Sequence, residues 1–320
     1  MNLSKNASAR LLFSPCFLVS SSPLLFFWNM RSIGIFAAPG KVRAATLAGE
    51  LAERARARGL DVHVQIEHQP PRELGGDGCL ISEQVASCDV LVTLSGDGGV
   101  LAAARAAIPF GTPVLSVDLG RLGFLSAVRP DDLERSFERL LNGEFQIEER
   151  MMLEARVVRD GQDIGGGVAL NDAVVAKSAL ARILRLSICA GGETVANIRA
   201  DGLVVSTPTG STAYALSAGG PIVPPDVPLL LVCAICAHSL GQRPFVVSPN
   251  ETLEVRAEWG GEEIQTSSID AMLTLDGQVG VSLKPGDLVR VCRSKSVARL
   301  LRDPDDSFYG RLRQKMGWGG

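Results

Sequence analysis

Ser95-Gly96-Asp97-Gly98-Gly99 is the stretch whose residue types and spacing point most directly to chemistry. It lies between a strand-like apolar run and a helix-like one. Backbone N–H groups of a glycine-rich turn at a helix start hold phosphate oxygens, and the helix dipole favours the anion. A carboxylate inside such a cradle is repelled by its own ligand, so Asp97 points to catalysis. It would serve as general base for an attacking hydroxyl, or as a ligand reaching Mg²⁺ directly or through water. An aspartate that caps the following helix is the plainer reading, and the local sequence leaves both open.

Three further stretches carry polar groups with a plausible ligand. Asp118-Leu119-Gly120-Arg121-Leu122-Gly123-Phe124-Leu125 ends a strand with glycines that open the sheet edge, and Phe124 could form an apolar wall under a base or pack in the core. Asn171-Asp172 suits a ribose diol or an adenine edge, and equally an ordinary polar turn. From Arg199 to Pro221, five hydroxyl side chains fall between Ser206 and Thr212, more than one helix cap requires, which predicts a polar ligand there. Asp201 and Tyr214 would add an acceptor and a flat hydrogen-bonding surface.

Two nucleotide signatures are absent. Ala37-Ala38-Pro39-Gly40-Lys41 lacks the G-x-G-x-x-G of dinucleotide enzymes, and Lys41 with Gly34 does not make a Walker A loop. An ordinary dehydrogenase and a P-loop kinase are thereby excluded. The seven cysteines are an odd count in a chain of 320 residues, which implies a reducing, cytoplasmic setting. Cys233 and Cys236 form a C-x-x-C in an apolar run without a second ligand pair, so no metal site is expected.

The elements that must position these residues follow from the apolar pattern. From Met30 the chain alternates strand and helix: Ser32 to Phe36, Val42 to Arg58 capped by Gly59, Asp61 to Ile66, then Val90 to Leu94, Val100 to Ala107 and Val114 to Leu119. Pro130 and Asn142-Gly143 frame one more helix. These units predict a doubly wound, Rossmann-like α/β domain over residues 31–146. Beyond it, strands joined by turn dipeptides such as Asp160-Gly161, Gly191-Gly192 and Asp276-Gly277 predict an all-β, sandwich-like domain over 147–297. Ser307 to Met316 returns to helical spacing, and residues 298–320 are expected to pack back on the first domain.

Composition narrows the partners. Lys plus Arg number 32 against 35 Asp plus Glu, without the basic excess that nucleic-acid binding needs. Glycine, at 34 residues, exceeds the usual ~7%, and tight turns with close backbone approaches are its expected use. Leu11 to Trp28 is apolar but broken by Pro15, Pro23 and serines, so no spanning helix and no membrane partner is expected. Residues 1–30 read as an extension outside the native fold, an over-long start ahead of Met30, with a removed targeting segment as the alternative.

With these residues in hand, the chain from about Met30 onward resembles the prokaryotic-type NAD kinases. Ser95 to Gly99 stands at that family's G-G-D-G-T, Gly120 to Leu125 at its G-x-L-G-F-L, and Asn171-Asp172 at its N-E/D. Asp201 to Pro221 matches its D-G-x-x-x-S-T-P-T-G-S-T-A-Y, and Phe308 to Trp318 its ending. The resemblance implies phosphoryl transfer from ATP or polyphosphate to the adenosine 2′-hydroxyl of NAD, with Mg²⁺ accompanying ATP. It implies Asp97 as the base and Gly96 and Gly98 as the phosphate cradle. Phe124, Asn171, Asp172, Asp201, Thr212, Ala213, Tyr214 and Ser217 would surround NAD, with Arg182, Arg199 and Gln278 as further polar contacts. A homodimer or homotetramer is implied too.

The chain departs from that pattern in its most chemical motif. Ser95 replaces a glycine and Gly99 a threonine, which removes a hydroxyl able to contact phosphate. Cys233 stands where a proline is usual, so the C-x-x-C reads as incidental. Two alternatives follow: a lipid or sugar kinase with the same G-D-G turn, and an NAD-binding regulatory homologue impaired by Ser95 and Gly99.

Overall fold

The computed structural model of the chain describes residues 30–38, 42–67, 81–120, 123–178, 183–239, 241–259 and 271–318. Residues 1–29 of the extension expected over 1–30, the turn Pro39 to Lys41, Arg121, Leu122, Arg182, Cys16 and Cys79 lie outside the described residues.

Short apolar runs form β1 (Ser32–Ala37), β2 (Asp61–Ile66), β3 (Val90–Ser95) and β4 (Val114–Asp118). Between them lie α1 (Val42–Ala57), α2 (Glu83–Ala86) and α3 (Asp97–Ala107), and α4 (Leu133–Leu141) follows. The four strands are parallel in the order β2-β1-β3-β4. Ile33, Ile35, Val92 and Leu94 pack with Leu51 of α1 and Phe137 and Leu140 of α4. Phe36 and Leu91 face Val85 of α2 and Val100 and Leu101 of α3 on the other side. Helices thus cover both faces, the doubly wound arrangement expected of near-continuous apolar strands. The strand order reverses between β1 and β3, and such a reversal places ligands beyond the carboxyl ends of the strands. The turn after β3 and the loop after β4 lie at that edge.

The remainder forms two antiparallel layers. Its strands are β5 (Gln146–Arg159), β6 (Gln162–Ala169), β7 (Asp172–Lys177), β8 (Leu184–Ala190), β9 (Glu193–Ala200) and β10 (Gly202–Ser206). After the short helix α5 (Tyr214–Ser217) come β11 (Leu230–Ile235), β12 (Phe245–Val247), β13 (Leu253–Glu258), β14 (Ala271–Leu275), β15 (Val279–Leu283) and β16 (Leu288–Arg302). One sheet runs β12-β11-β10-β7-β14-β15. The other continues the parallel sheet. Near its end β16 pairs in parallel with β4 at Leu300 and Val114, and it pairs antiparallel with β5 and β13, so ten strands form one sheet. Leu153, Val157, Leu186, Val255 and Val289 from this sheet pack on Val175, Leu203, Val205, Val232 and Leu273 from the other. In β13 the buried Leu253, Val255 and Ala257 alternate with the more exposed Glu254, Arg256 and Glu258, whereas β10 is buried along its whole length. A division at residue 297 falls inside β16.

The last helix, α6 (Phe308–Met316), is capped by the Ser307 hydroxyl, which accepts the Gly310 N–H at 3.0 Å. Its Arg311 reaches the carbonyls of Phe124 and Ser126 at 2.8 and 2.9 Å, beside the carboxyl edge of the parallel sheet. Among the described residues, no helix is long and apolar enough to cross a membrane.

Candidate active site

β3 is buried along its whole length and delivers Asp97 as the first residue of α3, with Gly96 as the extended N-cap. The Asp97 carboxylate does not cap its own helix. It crosses to the loop after β4, where Oδ2 accepts the Phe124 N–H at 3.1 Å and Oδ1 the Leu125 N–H at 3.4 Å. Gly123 makes room for it, since a Cβ there would lie 1.9 Å from Asp97 Oδ1. Asp118, buried at the end of β4, accepts the Gly120 and Gly123 N–H groups at 2.8 Å each and so shapes the same loop.

Phe124 is half-buried, and its neighbour Leu125 takes the place in the core. The Phe124 carbonyl accepts from Arg302 at 3.1 Å and Arg311 at 2.8 Å, and Lys315 Nζ lies 5.2 Å from the ring centroid. The loop is therefore held through its N–H groups by Asp97 and through its carbonyls by two buried arginines. Burial, with Arg311 and Arg150 close by, lowers Arg302 to about 9. Glu148 accepts from both Arg302 and Arg150, and Arg150 donates on to Thr209 at 3.1 Å.

The Asn171-Asp172 turn is anchored from the facing hairpin. Asp276, in the left-handed conformation at φ +51°, accepts the N–H groups of Leu170, Asn171 and Asp172 at 3.1, 2.8 and 3.3 Å. The same carboxylate pairs with Arg105 of α3 at 2.9 Å. Gln278, expected as a polar contact for NAD, donates its amide to the Gly98 carbonyl at 2.7 Å and accepts from Arg105. Asp172 is buried, and burial together with the neighbouring Asp276 pushes its carboxyl up to about 7.

The hydroxyl-rich segment also holds its own loop in shape. Four of its five hydroxyls are buried and build the loop itself. Ser206 donates to the Asn171 carbonyl at 3.1 Å, Thr207 to the Leu170 carbonyl at 2.5 Å and Ser211 to the Val223 carbonyl at 3.2 Å, while Thr209 accepts from Arg150. Three of the buried hydroxyls thus serve backbone carbonyls that need donors here. Thr212 and Ala213 are half-buried, and Tyr214 and Ser217 are exposed along α5. Asp201 lies 3.5 Å from Lys177. Arg199 is exposed on β9, in register with Arg185 of β8. The structure thus bonds Asp97 to Phe124 and Gly98 to Gln278 directly and ties Asn171 and Asp172 to them through Asp276 and Arg105, whereas Arg199 lies on β9 and Asp201 in the turn between β9 and β10.

Sequence reasoning missed Arg105, Asp276 and the arginines 150 and 302 as organisers. Arg105 carried a signal, as the one charge in the otherwise apolar run Val100 to Ala107. Asp276 was hidden in a turn dipeptide. Burial pushes the Cys233 thiol up to about 11, and Cys233 and Cys236 are both free.

Two families match the chain: the ATP-NAD kinase N-terminal domain over residues 74–145 and the ATP-NAD kinase C-terminal domain over 170–302. An NAD kinase of Geobacter sp. (strain M21) is 39% identical over 292 residues, covering 91% of this chain and 99% of the relative. The chain belongs to the NAD kinase family. A second NAD kinase, from Desulforamulus reducens, is 44% identical over 241 residues, 75% of this chain and 81% of that one. Among solved structures, yeast NADH kinase complexed with NADH superposes with a TM-score of 0.74 at 24% identity, covering 92% of this chain and 90% of that one. An NAD kinase from Archaeoglobus fulgidus in complex with ATP gives 0.68 at 24% identity, over 91% of this chain and 100% of the other. These likenesses extend the NAD kinase fold across both layers of the chain. The matches to both domains also set aside a lipid or sugar kinase that shares only the G-D-G turn.

Proposed function

We propose that this chain is an NAD kinase that transfers the terminal phosphoryl group of ATP, or of polyphosphate, to the adenosine 2′-hydroxyl of NAD, giving NADP. The observation that carries this reading is the Asp97 carboxylate. It stands at the head of α3, beside glycines 96 and 98, and is held by the Phe124 and Leu125 amides instead of capping its helix. An aspartate so placed can take a proton, and a helix N-terminus beside it favours phosphate.

In this reading Asp97 removes the proton from the 2′-hydroxyl as its oxygen attacks the terminal phosphorus in line. The bond from that phosphorus to the leaving phosphate oxygen breaks, and ADP departs, or a polyphosphate one phosphate shorter where polyphosphate is the donor. Gly96 and Gly98 offer backbone N–H groups to the donor phosphates. Phe124, Asn171, Asp172, Asp201, Thr212, Ala213, Tyr214 and Ser217 hold NAD, with Arg182, Arg199 and Gln278 nearby. Gln278 acts through Gly98 and Arg105, in keeping with its hydrogen bonds. Residues 31–146 carry the catalytic turn, residues 147–297 the NAD-binding groups, and residues 298–320 return to the first part.

Mg²⁺ would enter with ATP. Among the described residues no group of three or more His, Cys, Asp and Glu could cage a metal. A donor-borne Mg²⁺ keeps several waters and is held largely by the donor's own phosphates, so it needs no dedicated protein cage and leaves Asp97 to act as the base. Bound there, the ion would neutralise charge on the transferring phosphate. A cytoplasmic homodimer or homotetramer completes the proposal, with NAD and the phosphoryl donor as its small-molecule partners.

The test is NADP formation by the purified full chain with NAD, ATP and Mg²⁺, and with polyphosphate in parallel. Turnover with either donor supports the kinase and identifies the phosphate source. NAD binding without turnover would replace it with a binding homologue.

A further inference from the structure

The two departures of the catalytic turn, Ser95 and Gly99, meet in space. Ser95 ends β3 and is 1% exposed; its Oγ lies 2.9 Å from Thr93 Oγ1 and donates to the Gly96 carbonyl at 3.0 Å. That carbonyl also accepts the Gly99 N–H at 3.0 Å, as the helix begins. Gly99 faces Ser95 across this first turn. A Cβ at position 99 would lie 2.3 Å from Ser95 Cβ and 2.3 Å from Ser95 Oγ, but an ordinary 3.5 Å from Thr93 Oγ1.

Non-bonded carbons rest about 3.5–4.0 Å apart, so this overlap must be relieved by movement. Rotating the Ser95 side chain moves Oγ and leaves Cβ in place. The Cβ itself is fixed by a strand that is buried throughout and paired with β4 at Ser95 and Asp118. A side chain at 95 therefore requires none at 99, and removing it would free the space that a side chain at 99 needs.

We propose that Ser95 and Gly99 form a compensated pair, in which side-chain volume moves from position 99 to position 95 and the backbone of the turn is kept. Ser95 is then a positioning residue: it fills the space under the first turn of α3 and, through the Gly96 carbonyl, fixes the helix start that aims Asp97. The two departures act as one change, and the turn remains built for catalysis. The functional part of this inference rests on the kinase reading; the steric part does not.

The test is a double-mutant cycle on the full chain with Gly99→Ala, Ser95→Gly and both together, reading Tm together with kcat and KM for NADP formation. Over-packing in a fixed site predicts that Gly99→Ala lowers Tm by roughly 4 °C or more. Its kcat should fall at least about tenfold while the KM for NAD stays within about twofold, because a displaced helix start misaims Asp97 without removing NAD contacts. The double variant should return to within about 2 °C of Ser95→Gly and recover most of kcat, a coupling expected of residues in contact. Gly99→Ala matching the parent in Tm and kcat, or a double variant that loses the sum of both singles, overturns the proposal. Should Gly99→Ala not yield soluble protein, a soluble double variant supports the pair and an insoluble one overturns it. If the parent itself makes no NADP, the kinase reading fails, and the Tm cycle alone still decides the pair.

Discussion

Arg105, in the last turn of the helix that Asp97 begins, pairs at 2.9 Å with Asp276, whose side chain has no exposed surface and which also receives three amides of the Asn171 turn. One carboxylate thus joins the helix carrying the proposed base to the turn proposed to hold NAD. Removing one partner of a buried pair leaves an uncompensated charge and costs about 3–5 kcal/mol. Arg105→Met is expected to lower the urea midpoint accordingly. It should also raise the KM for NAD, a coupling absent if the pair were only structural.

Asp97→Asn preserves shape and removes the proton acceptor. General-base catalysis contributes roughly 10² to 10⁴ in rate, so kcat should fall by that order while the dissociation constant of NAD, measured by calorimetry, changes little. Undiminished turnover would take Asp97 out of the base role.

Gly123→Ala tests the bed on which Asp97 lies. A methyl group 1.9 Å from Oδ1 cannot coexist with the carboxylate in place. The expected result is a loss of kcat approaching that of Asp97→Asn in a protein that still folds and shows native circular dichroism.

Asp172 links stability to pH. Its carboxyl is raised to about 7 by burial and by Asp276, so between about pH 4 and pH 7 the folded protein holds a proton that the unfolded chain has released. Stability from this group is complete below pH 4, falls as pH rises by up to about 1.4 kcal/mol per pH unit, and levels off above 7. Asp172→Asn should flatten that part of the slope when urea midpoints of the parent and the variant are compared at pH 5, 6, 7 and 8.

Much of this was legible in the residues. The apolar runs of β1, β3 and β4 with Gly59 and Pro130 as punctuation marked the α/β unit, and the turn dipeptides marked the sandwich. The G-D-G turn stood out because a carboxylate among phosphate-binding glycines conflicts with its surroundings. What stayed hidden depends on partners far away along the chain. The structural roles of Thr207 and Ser206 stayed hidden because the carbonyls they satisfy belong to Leu170 and Asn171, on a turn that only tertiary structure brings close. Asp276 was concealed for the same reason, since its four partners lie on two other segments. Ser95 and Gly99 read as two independent losses until their shared space was visible.

β16 gives the molecule a mechanical character that its two textures do not suggest. Because one strand runs from the sandwich core into register with β4, the two parts share a sheet among the described residues instead of meeting at a linker alone. A wide swing of one part against the other would tear backbone hydrogen bonds. The described chain should therefore melt as a single cooperative unit, and passage of substrate over the carboxyl edge is left to side chains and loops rather than to rigid-body opening.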